Sequence, residues 1–481
     1  MTLLPFSFDK ISDDTFLLVN CCGDFYFVNQ RTLELLCNES LDRNHPDYLN
    51  LLSRLFISEG PLHFTIQKLA AKYRTKMSFL RDFTTLHMLV ITLRCNQKCD
   101  YCQVSCEGEE ALRYDMEINT AKKIIDTILL APSNRIKIEF QGGEPTLNWD
   151  TLKESVLYAE EQNKIINKKL EFVLCTNLTA INENQLNFCA EHNIDISTSL
   201  DGPLEIHDKH RKSRNTFSTY QQFINNLELA KKIVGIQNIS PLMTTTSFSL
   251  NNIETVIDEY IRLGFKGIFI RSLNPYGFAA QQNELLGYSS YQFVKAYLNA
   301  LRYIIELNIQ KNIFFQEYFA TILFTRILTS FPTGFVDLQS PAGVGICGVI
   351  YDYNGDVYPS DEARMLARMG DKYFKIGNVF EDSYSQIFNS EKLKHLIRNS
   401  CNEIIPTCFN CVYRIYCGTD PIRNYLESGS IIRDMFNTPF CIKHKNIFKG
   451  IFQLLHTLTE KEDDVIWNWI IPKSLPAECV S

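Results

Sequence analysis

Between about residue 86 and residue 275, short runs of apolar and β-branched residues alternate with amphipathic stretches of helical period. Six such runs are predicted as strands, at residues 87–93, 136–140, 171–175, 195–200, 242–246 and 267–271. The helices between them include 120–130, with Asn119 or Thr120 as the cap, and 217–233. Repeated strand–helix units predict an α/β fold with a parallel sheet, whose functional site lies on the loops after the strands.

Two further segments flank this region. Residues 1–85 contain a β-hairpin pattern at 16–20 and 23–29 and helical patterns at 32–37 and 46–57, so we predict a small α+β module. A helical linker at 288–328 extends the central unit to residues 86–335. From Pro341 the chain changes character, and residues 351–358 are typical of a hairpin with an Asn-Gly turn. We predict a second, cysteine-bearing unit at 336–450 and a C-terminal tail at 451–481.

The composition narrows the class of protein. The 481 residues are 45% hydrophobic and 12% aromatic, which suffices for two or three domains with cores. A net charge of -7 and a pI near 5.8 argue against a nucleic-acid binder. The first residues lack the basic and apolar regions of a secretory signal, and no apolar run is long enough to span a membrane. We expect a cytoplasmic protein with no nucleic-acid or membrane partner.

Sixteen cysteines in such a protein indicate metal ligands and buried thiols rather than disulfides. Two groups have the spacing of ligands, one at residues 95–102 and one at residues 408–441. Cys347 lies near the second group. The remaining thiols show no ligand spacing and are predicted to be packed or incidental: Cys21, Cys22, Cys37, Cys106, Cys175, Cys189, Cys401 and Cys479.

The first group, Cys95, Cys99 and Cys102, lies on one loop directly after the apolar run 88–93. Three thiolates can bind three irons of a [4Fe-4S] cluster and leave the fourth iron without a protein ligand. A structural zinc normally has four ligands, and zinc ribbons repeat a two-residue gap, whereas here a three-residue gap precedes a two-residue gap. A zinc or disulfide site is the alternative. The signature resembles that of the radical S-adenosylmethionine (SAM) enzymes, in which SAM chelates the open iron.

This resemblance implies that the strand–helix units form a partial (β/α)6 barrel. The second strand runs into Gln141, Gly142, Gly143 and Glu144, where two glycines let the backbone approach a ligand closely. The run resembles the segment that binds the amino group of SAM, with Glu144 and nearby carbonyls as acceptors. A simple turn is the alternative.

The ends of the third and fourth predicted strands provide the remaining residues of the implied SAM site. A serine and an aspartate can bond a ribose hydroxyl, and an arginine can pair with a carboxylate. By resemblance, Ser199 and Asp201 contact the ribose and Arg211 the SAM carboxylate, while Tyr101 and Asn177 complete the cofactor site. A turn and a surface charge are the alternatives.

The second cysteine group resembles the SPASM extension of radical SAM maturases, in which seven cysteines serve two auxiliary clusters. Two of those positions hold Ser360 and Pro421 here, and neither residue can replace a thiolate. Cys347 and Asp420 remain near the first auxiliary site. We therefore expect one auxiliary [4Fe-4S] cluster, with zinc as the alternative. Its four ligands would be Cys408, Cys411, Cys417 and Cys441.

Over nearly the whole chain, the order of motifs is most similar to the B-type radical SAM maturases of the His-Xaa-Ser peptide system. The resemblance implies reductive cleavage of SAM to a 5'-deoxyadenosyl radical, which removes a side-chain hydrogen, expected at Cβ, from a ribosomal precursor peptide. An intrapeptide cross-link then forms. A flavodoxin or ferredoxin as electron donor, accessory proteins of the system, and the auxiliary cluster as electron acceptor are implied as well. Asp361 or Glu362 would take the proton, although both also fit the pattern of surface carboxylates.

Several alternatives stay open. Residues 1–85 look similar to winged modules that bind a leader peptide as an added edge strand, and a capping subdomain is the other interpretation. A maturase of a folded protein, similar to the anaerobic sulfatase activators, would need both auxiliary clusters, so Ser360 and Pro421 count against it. An RNA-modifying radical SAM enzyme should carry a basic domain. A non-enzymatic metal-binding scaffold predicts no cleavage of SAM.

Overall fold

The N-terminal module is a three-stranded antiparallel sheet with three helices. The structure is a computed structural model that describes residues 1–81, 83–215, 217–331 and 333–472, so Cys479 lies outside it. The sheet order is β2-β3-β4, and β1 pairs with β5. The elements are β1 (Thr2–Leu3), β2 (Phe6–Lys10), β3 (Thr15–Asn20), β4 (Phe25–Asn29), α1 (Gln30–Cys37), α2 (Tyr48–Ser53), β5 (Ile57–Ser58) and α3 (Leu62–Lys76). The predicted hairpin is confirmed as β3 and β4.

The central unit alternates strands and helices as the hydrophobic pattern predicted. Its elements are β6 (Leu86–Thr92), β7 (Gln97–Cys99), α4 (Ile118–Leu129), β8 (Arg135–Gly142), α5 (Trp149–Ile166), β9 (Lys169–Thr176), α6 (Glu183–Glu191), β10 (Ile194–Ser199), α7 (Leu204–His210), β11 (Arg211–Ser213), α8 (Thr219–Ile233), β12 (Ile239–Thr244), α9 (Ser247–Leu250), α10 (Ile253–Arg262), β13 (Gly267–Arg271), α11 (Gly277–Gln281), α12 (Asn283–Leu286), α13 (Ser290–Lys311), β14 (Gln316–Glu317) and α14 (Tyr318–Leu328).

The C-terminal part is built from short elements and ends in two longer helices. They are β15 (Gly348–Tyr351), β16 (Asp356–Tyr358), α15 (Asp361–Arg368), β17 (Gly377–Asn378), α16 (Tyr384–Phe388), α17 (Glu391–Arg398), α18 (Pro406–Phe409), α19 (Pro421–Ser428), α20 (Pro439–Thr457) and α21 (Glu460–Ile470). The predicted hairpin at residues 351–358 is confirmed as the antiparallel pair β15–β16, with Gly355 at φ +85° in the turn between them.

One ten-stranded sheet joins the two units, in the order β14-β13-β12-β10-β9-β8-β6-β15-β16-β17. The six predicted strands are β6, β8, β9, β10, β12 and β13, and they pair in parallel. β15 then adds in parallel to the free edge of β6, so the C-terminal hairpin continues the barrel sheet. The predicted α/β partial barrel is confirmed.

Alternation along the strands separates the core from the barrel interior. On β8, Ile136, Ile138 and Phe140 are fully buried in the core formed with the surrounding helices. Because side chains alternate along a strand, Glu139 and Gln141 lie on the opposite face, where they line a cavity. The same period therefore builds the core and delivers polar side chains to the interior.

Two predicted helices differ in detail. The helix predicted at 120–130 begins earlier, at Ile118, and its cap is Glu117, so Asn119 and Thr120 lie inside the first turn and neither is the cap. The predicted helical linker is two helices, α13 and α14, separated by the short strand β14, which pairs with β13. Within the described part of the chain, no helix combines the length and the apolar character needed to cross a bilayer.

Candidate active site

The cysteine loop follows β6 and faces the barrel cavity. Cys95, Cys99 and Cys102 all line this cavity, whose volume is about 600 Å³. The Gln97 backbone N–H donates to Cys95 Sγ (3.4 Å), and Asn177 Nδ2 approaches the same sulfur at 3.9 Å. Burial raises the pKa of Cys99 to about 12, and a bound metal would favour its thiolate. Three thiols that line one cavity fit the three-thiolate cluster, and cluster binding by them stays a prediction.

The glycine segment at the end of β8 packs against the start of the same loop. A Cβ on Gly142, whose φ is +148°, would lie 1.9 Å from the Thr92 carbonyl oxygen, and one on Gly143 would lie 2.3 Å from that of Arg94. Only glycine permits this approach. Gln141, Gly142 and Gly143 line the cavity, as the SAM-binding interpretation requires.

Glu144 has a different environment from its neighbours because it is fully buried. Its carboxylate accepts from Thr146 (Oγ1, 2.6 Å), Thr176 (Oγ1, 2.8 Å) and the Asn177 backbone N–H (2.8 Å). Glu144 therefore ties the glycine segment to the end of β9. A direct contact of Glu144 with SAM stays a prediction.

The structure brings Tyr101, Asp201 and Arg211 together. Arg211 Nε donates to Asp201 Oδ2 (3.0 Å), the Tyr101 hydroxyl donates to the same oxygen, and the Thr244 N–H donates to Oδ1 (3.1 Å). Arg211 and Tyr101 line the cavity together with Ser199 and Asn177, whereas Asp201 lies behind them. Asp201 thus holds Arg211 in place. The sequence predicted only a contact between Asp201 and the ribose, and that contact stays a prediction.

The four C-terminal thiols also converge. Burial raises the pKa of Cys417 well above its usual value, and the nearby thiols of Cys411, Cys408 and Cys441 raise it further. Cys441 comes from the first turn of α20, Cys408 lies in α18, and Cys411 and Cys417 lie between α18 and α19. Four thiolates would leave a cluster without an open iron, and binding of a cluster by these four thiols stays a prediction.

The positions that break the SPASM pattern have structural roles of their own. Ser360 is the cap of α15 and accepts from the Ala363 N–H (3.3 Å). Pro421 is the first residue of α19, capped by Asp420, whose side chain accepts from the Arg423 N–H (2.9 Å). The Cys347 thiol is 2.9 Å from Gln339 Oε1. Two of the seven positions are therefore helix starts, and a single auxiliary cluster stays our prediction.

The iron content of the protein shows whether the four C-terminal thiols bind a second cluster. We expect about eight irons per wild-type chain after anaerobic reconstitution and about four in Cys441→Ala, because one of two four-iron clusters loses a ligand. Iron and zinc would be measured by elemental analysis, with Cys401→Ala as the control. About four irons together with bound zinc in the wild-type chain would contradict the auxiliary iron cluster.

A group of charged side chains, the charged wall, lines the same cavity as the cysteine loop. Asp361 and Glu362 belong to it, and both are half-buried. Asp361 accepts from Nε (3.2 Å) and Nη2 (3.1 Å) of the buried Arg364. Burial, together with the carboxylates of Asp337, Asp420 and Asp361, raises the pKa of Glu362 to about 8. The Arg364 guanidinium therefore fixes the position of the Asp361 carboxyl group in the cavity.

Sequence reasoning missed part of this wall. Asp337 lies in the chain before β15, Arg271 ends β13, and Lys443 belongs to α20, yet all three line the same cavity. Lys443 Nζ donates to Ser272 Oγ (2.9 Å), and burial lowers the pKa of Lys443 to about 8. No local pattern marks these residues, because each comes from a different part of the chain.

The pKa of Glu362 predicts a pH dependence of stability. Between the ordinary carboxyl pKa and about 8, the folded state keeps a proton that the unfolded state loses, so rising pH destabilises the wild-type protein by at most about 1.4 kcal/mol per pH unit. Glu362→Gln has no carboxyl group at this position and does not lose stability in this way. The free energy of unfolding of the variant minus that of wild type should therefore grow from pH 5 to pH 8. Urea unfolding measures it, with the exposed Glu161→Gln as the control. Parallel wild-type and Glu362→Gln curves would contradict the assignment.

Comparisons with known proteins agree with this geometry. Residues 89–259 match the radical SAM superfamily and residues 347–412 match the SPASM iron-sulfur cluster-binding domain. The cysteine-type anaerobic sulfatase-maturating enzyme of Clostridium novyi (strain NT) is 27% identical over 389 residues, which are 77% of this chain and 97% of that protein.

Solved structures share the fold. Native anSMEcpe with bound AdoMet has a TM-score of 0.63 at 21% identity, covering 80% of this chain and 99% of that one. Streptococcus suis SuiB bound to S-adenosylmethionine has a TM-score of 0.54 at 15% identity, covering 90% and 99%.

A partial parallel barrel with a three-cysteine loop and a glycine-rich second strand end defines a radical SAM enzyme. This chain carries a radical SAM domain and a SPASM domain, and it is an enzyme. Its cofactors are SAM and [4Fe-4S] clusters.

Proposed function

We propose that this enzyme modifies a ribosomally made precursor peptide and installs an intrapeptide cross-link, as a member of the B-type maturases of the His-Xaa-Ser system. The observation that carries the proposal is one cavity of about 600 Å³ that is lined both by the cysteine loop and by the acidic side chains of Asp361 and Glu362. A peptide side chain entering it meets both the oxidising centre and a proton acceptor.

The roles of the chain's own groups follow from their positions. When bound, the SAM-binding cluster and SAM supply the radical that removes a hydrogen atom, and the auxiliary cluster supplies an electron acceptor. Arg211 and Ser199 orient the cofactor at the barrel edge, Arg211 being fixed by Asp201. Asp361, held by Arg364, takes the proton that ring closure releases.

The N-terminal module is proposed to bind the leader segment of the peptide. β2 and β4 are the edge strands of its sheet, and an extended peptide can add to such an edge. Helix α3 presents apolar side chains to solvent, since Leu62, Phe64 and Ile66 are 42%, 58% and 53% exposed. Exposed apolar residues grouped on one helix are typical of a binding surface.

The module is firmly attached to the rest of the enzyme. The Tyr416 hydroxyl donates to the Gly23 carbonyl (2.7 Å), the Tyr413 hydroxyl to Asp9 (3.0 Å) and Gln453 Nε2 to the Ile11 carbonyl (2.6 Å). A peptide held by the module would therefore lie at a fixed distance from the SPASM loop. Such a fixed distance selects which residues of the peptide reach the cavity.

Replacing Phe64 and Ile66 by serine tests the role of α3. We expect weaker binding of the precursor peptide by about tenfold or more, because two apolar contacts are lost, with unchanged SAM cleavage in the absence of peptide. Peptide affinity by fluorescence anisotropy measures it, and Ile165→Ser, 86% exposed on α5, is the matched control. Equal affinities for all three proteins would leave only the capping role.

A second candidate function is the maturation of a folded protein. The observation that favours it is the 27% identity to the Clostridium novyi enzyme, named as an anaerobic sulfatase-maturating enzyme, over 97% of that protein. The peptide proposal is supported by the SuiB fold, since SuiB has been solved bound to precursor peptide SuiA. Ser360 and Pro421 weigh against the second candidate.

Co-expression separates the two candidates. The enzyme would be produced with each small open reading frame that neighbours its gene, and the peptides analysed by mass spectrometry. We expect one peptide to lose two hydrogens and to resist sequential fragmentation between the joined residues. Oxidation of a cysteine in a sulfatase-derived peptide, with no change in any neighbouring peptide, would favour the second candidate instead.

A further inference from the structure

Cys175, near the end of β9, is a thiol inside the SAM cavity. Its side chain lines the cavity that also contains Cys95 and Arg211. Its Sγ donates to Glu139 Oε1 at 3.0 Å, and Gln141 Nε2 donates to the same oxygen at 2.7 Å. The spacing of cysteines gave this thiol no role.

The position of this thiol is fixed by the barrel. Residues 172 and 174 of β9 point into the core, so Cys175 points to the interior, two residues before Asn177, which contacts Cys95. On the neighbouring strand, Glu139 and Gln141 share that interior face. The thiol and its carboxyl partner therefore line the same cavity as Cys95 and Asn177.

The thiol keeps its hydrogen in this environment. Burial raises the pKa of Cys175 well above its usual value, and the neighbouring Glu139 raises it further. Burial also raises the pKa of Glu139. An S–H bond is weaker than an aliphatic C–H bond, so a carbon radical formed beside Cys175 takes the thiol hydrogen.

We propose that Cys175 is a hydrogen-atom donor that returns hydrogen to a carbon radical of the bound peptide. The inference rests on the proposed function. It gives the carbon radical of the peptide a second fate besides formation of the cross-link. Where no neighbouring group is in reach to close a ring, the carbon is reduced instead of cross-linked. Hydrogen delivered to the face opposite to the one from which it was removed inverts the configuration of that carbon.

The step balances with one electron and one proton. The Cys175 S–H bond breaks and a C–H bond forms, which leaves a thiyl radical on sulfur. A one-electron donor of the flavodoxin or ferredoxin class reduces this thiyl to a thiolate. The thiolate then takes up one proton from solvent, relayed by the Glu139 carboxyl group that is hydrogen-bonded to the sulfur.

Deuterium transfer tests the proposal without the peptide. Reconstituted full-length enzyme would be incubated with SAM and dithionite in D₂O, where thiols exchange to S–D, and the 5'-deoxyadenosine analysed by mass spectrometry. We expect wild type and Cys189→Ala, whose thiol is fully buried in α6, to form 5'-deoxyadenosine carrying one deuterium. Cys175→Ser and Cys175→Ala should give only the natural isotope pattern, because a serine O–H bond is too strong to donate its hydrogen atom and the C–H hydrogens of the protein do not exchange with D₂O.

Two results would overturn the proposal: no deuterium in the wild-type product, or the same deuterium content in Cys175→Ser as in wild type. Cys175→Ser keeps a side chain of similar shape that can still donate to Glu139, and its SAM binding is measured separately by the change in the cluster's electron paramagnetic resonance spectrum. The amount of 5'-deoxyadenosine measures the radical SAM activity, and its deuterium content measures donation by Cys175. A failure of the proposed function and a failure of the role of Cys175 can therefore be distinguished.

Discussion

Cys99→Ala should abolish SAM cleavage and lower the iron content from about eight to about four atoms per chain. The reason is geometric, because the loop provides three thiols and the fourth coordination site is left to SAM. Removing one thiol leaves too few protein ligands to hold the cluster. Iron analysis after anaerobic reconstitution and quantification of 5'-deoxyadenosine with dithionite measure the two effects.

Cys106→Ala is a sharp control for this experiment. Cys106 lies on the same loop and lines the same cavity, yet it falls outside the three-cysteine spacing. We expect this variant to keep about eight irons and its SAM cleavage. If Cys106→Ala loses the cluster as Cys99→Ala does, then the loop provides four ligands and the open-iron assignment fails.

Arg211→Ala should destabilise the protein by about 3–5 kcal/mol, because it leaves the buried carboxylate of Asp201 without its cation. The two side chains are only 10% and 3% exposed, so solvent does not screen their interaction. SAM affinity should fall in the same variant, since Arg211 lines the cavity. Urea unfolding and SAM binding measure the two effects.

The neighbouring Lys212 provides a matched control. Its amine pairs with Asp100 at 2.8 Å, but the lysine side chain is 56% exposed. Exposed pairs contribute about 0–1 kcal/mol, so Lys212→Ala should be close to wild type in stability. Equal effects of the two substitutions would show that the Asp201–Arg211 pair does not act as a buried pair.

Local patterns account for much of this protein. Alternation and helical period predicted the six parallel strands within a few residues, because each strand must bury its own apolar side chains. The spacing of Cys95, Cys99 and Cys102 predicted a cofactor loop, and the structure shows that all three residues line one cavity. The exact ends of the helices were predicted less accurately, and the predicted cap of α4 was wrong.

The sequence by itself determined the barrel, the order of its motifs and the three-thiol loop, since each depends on residues close together in the chain. Only the tertiary structure joined Arg211 to Asp201 behind the cavity, set Asp337 and Lys443 beside Glu362, and placed Cys175 against Glu139. These contacts depend on which strands and helices become neighbours and on which face each side chain takes. Packing of the whole chain determines these neighbours and these faces, so the spacing of residues along the sequence does not predict the contacts.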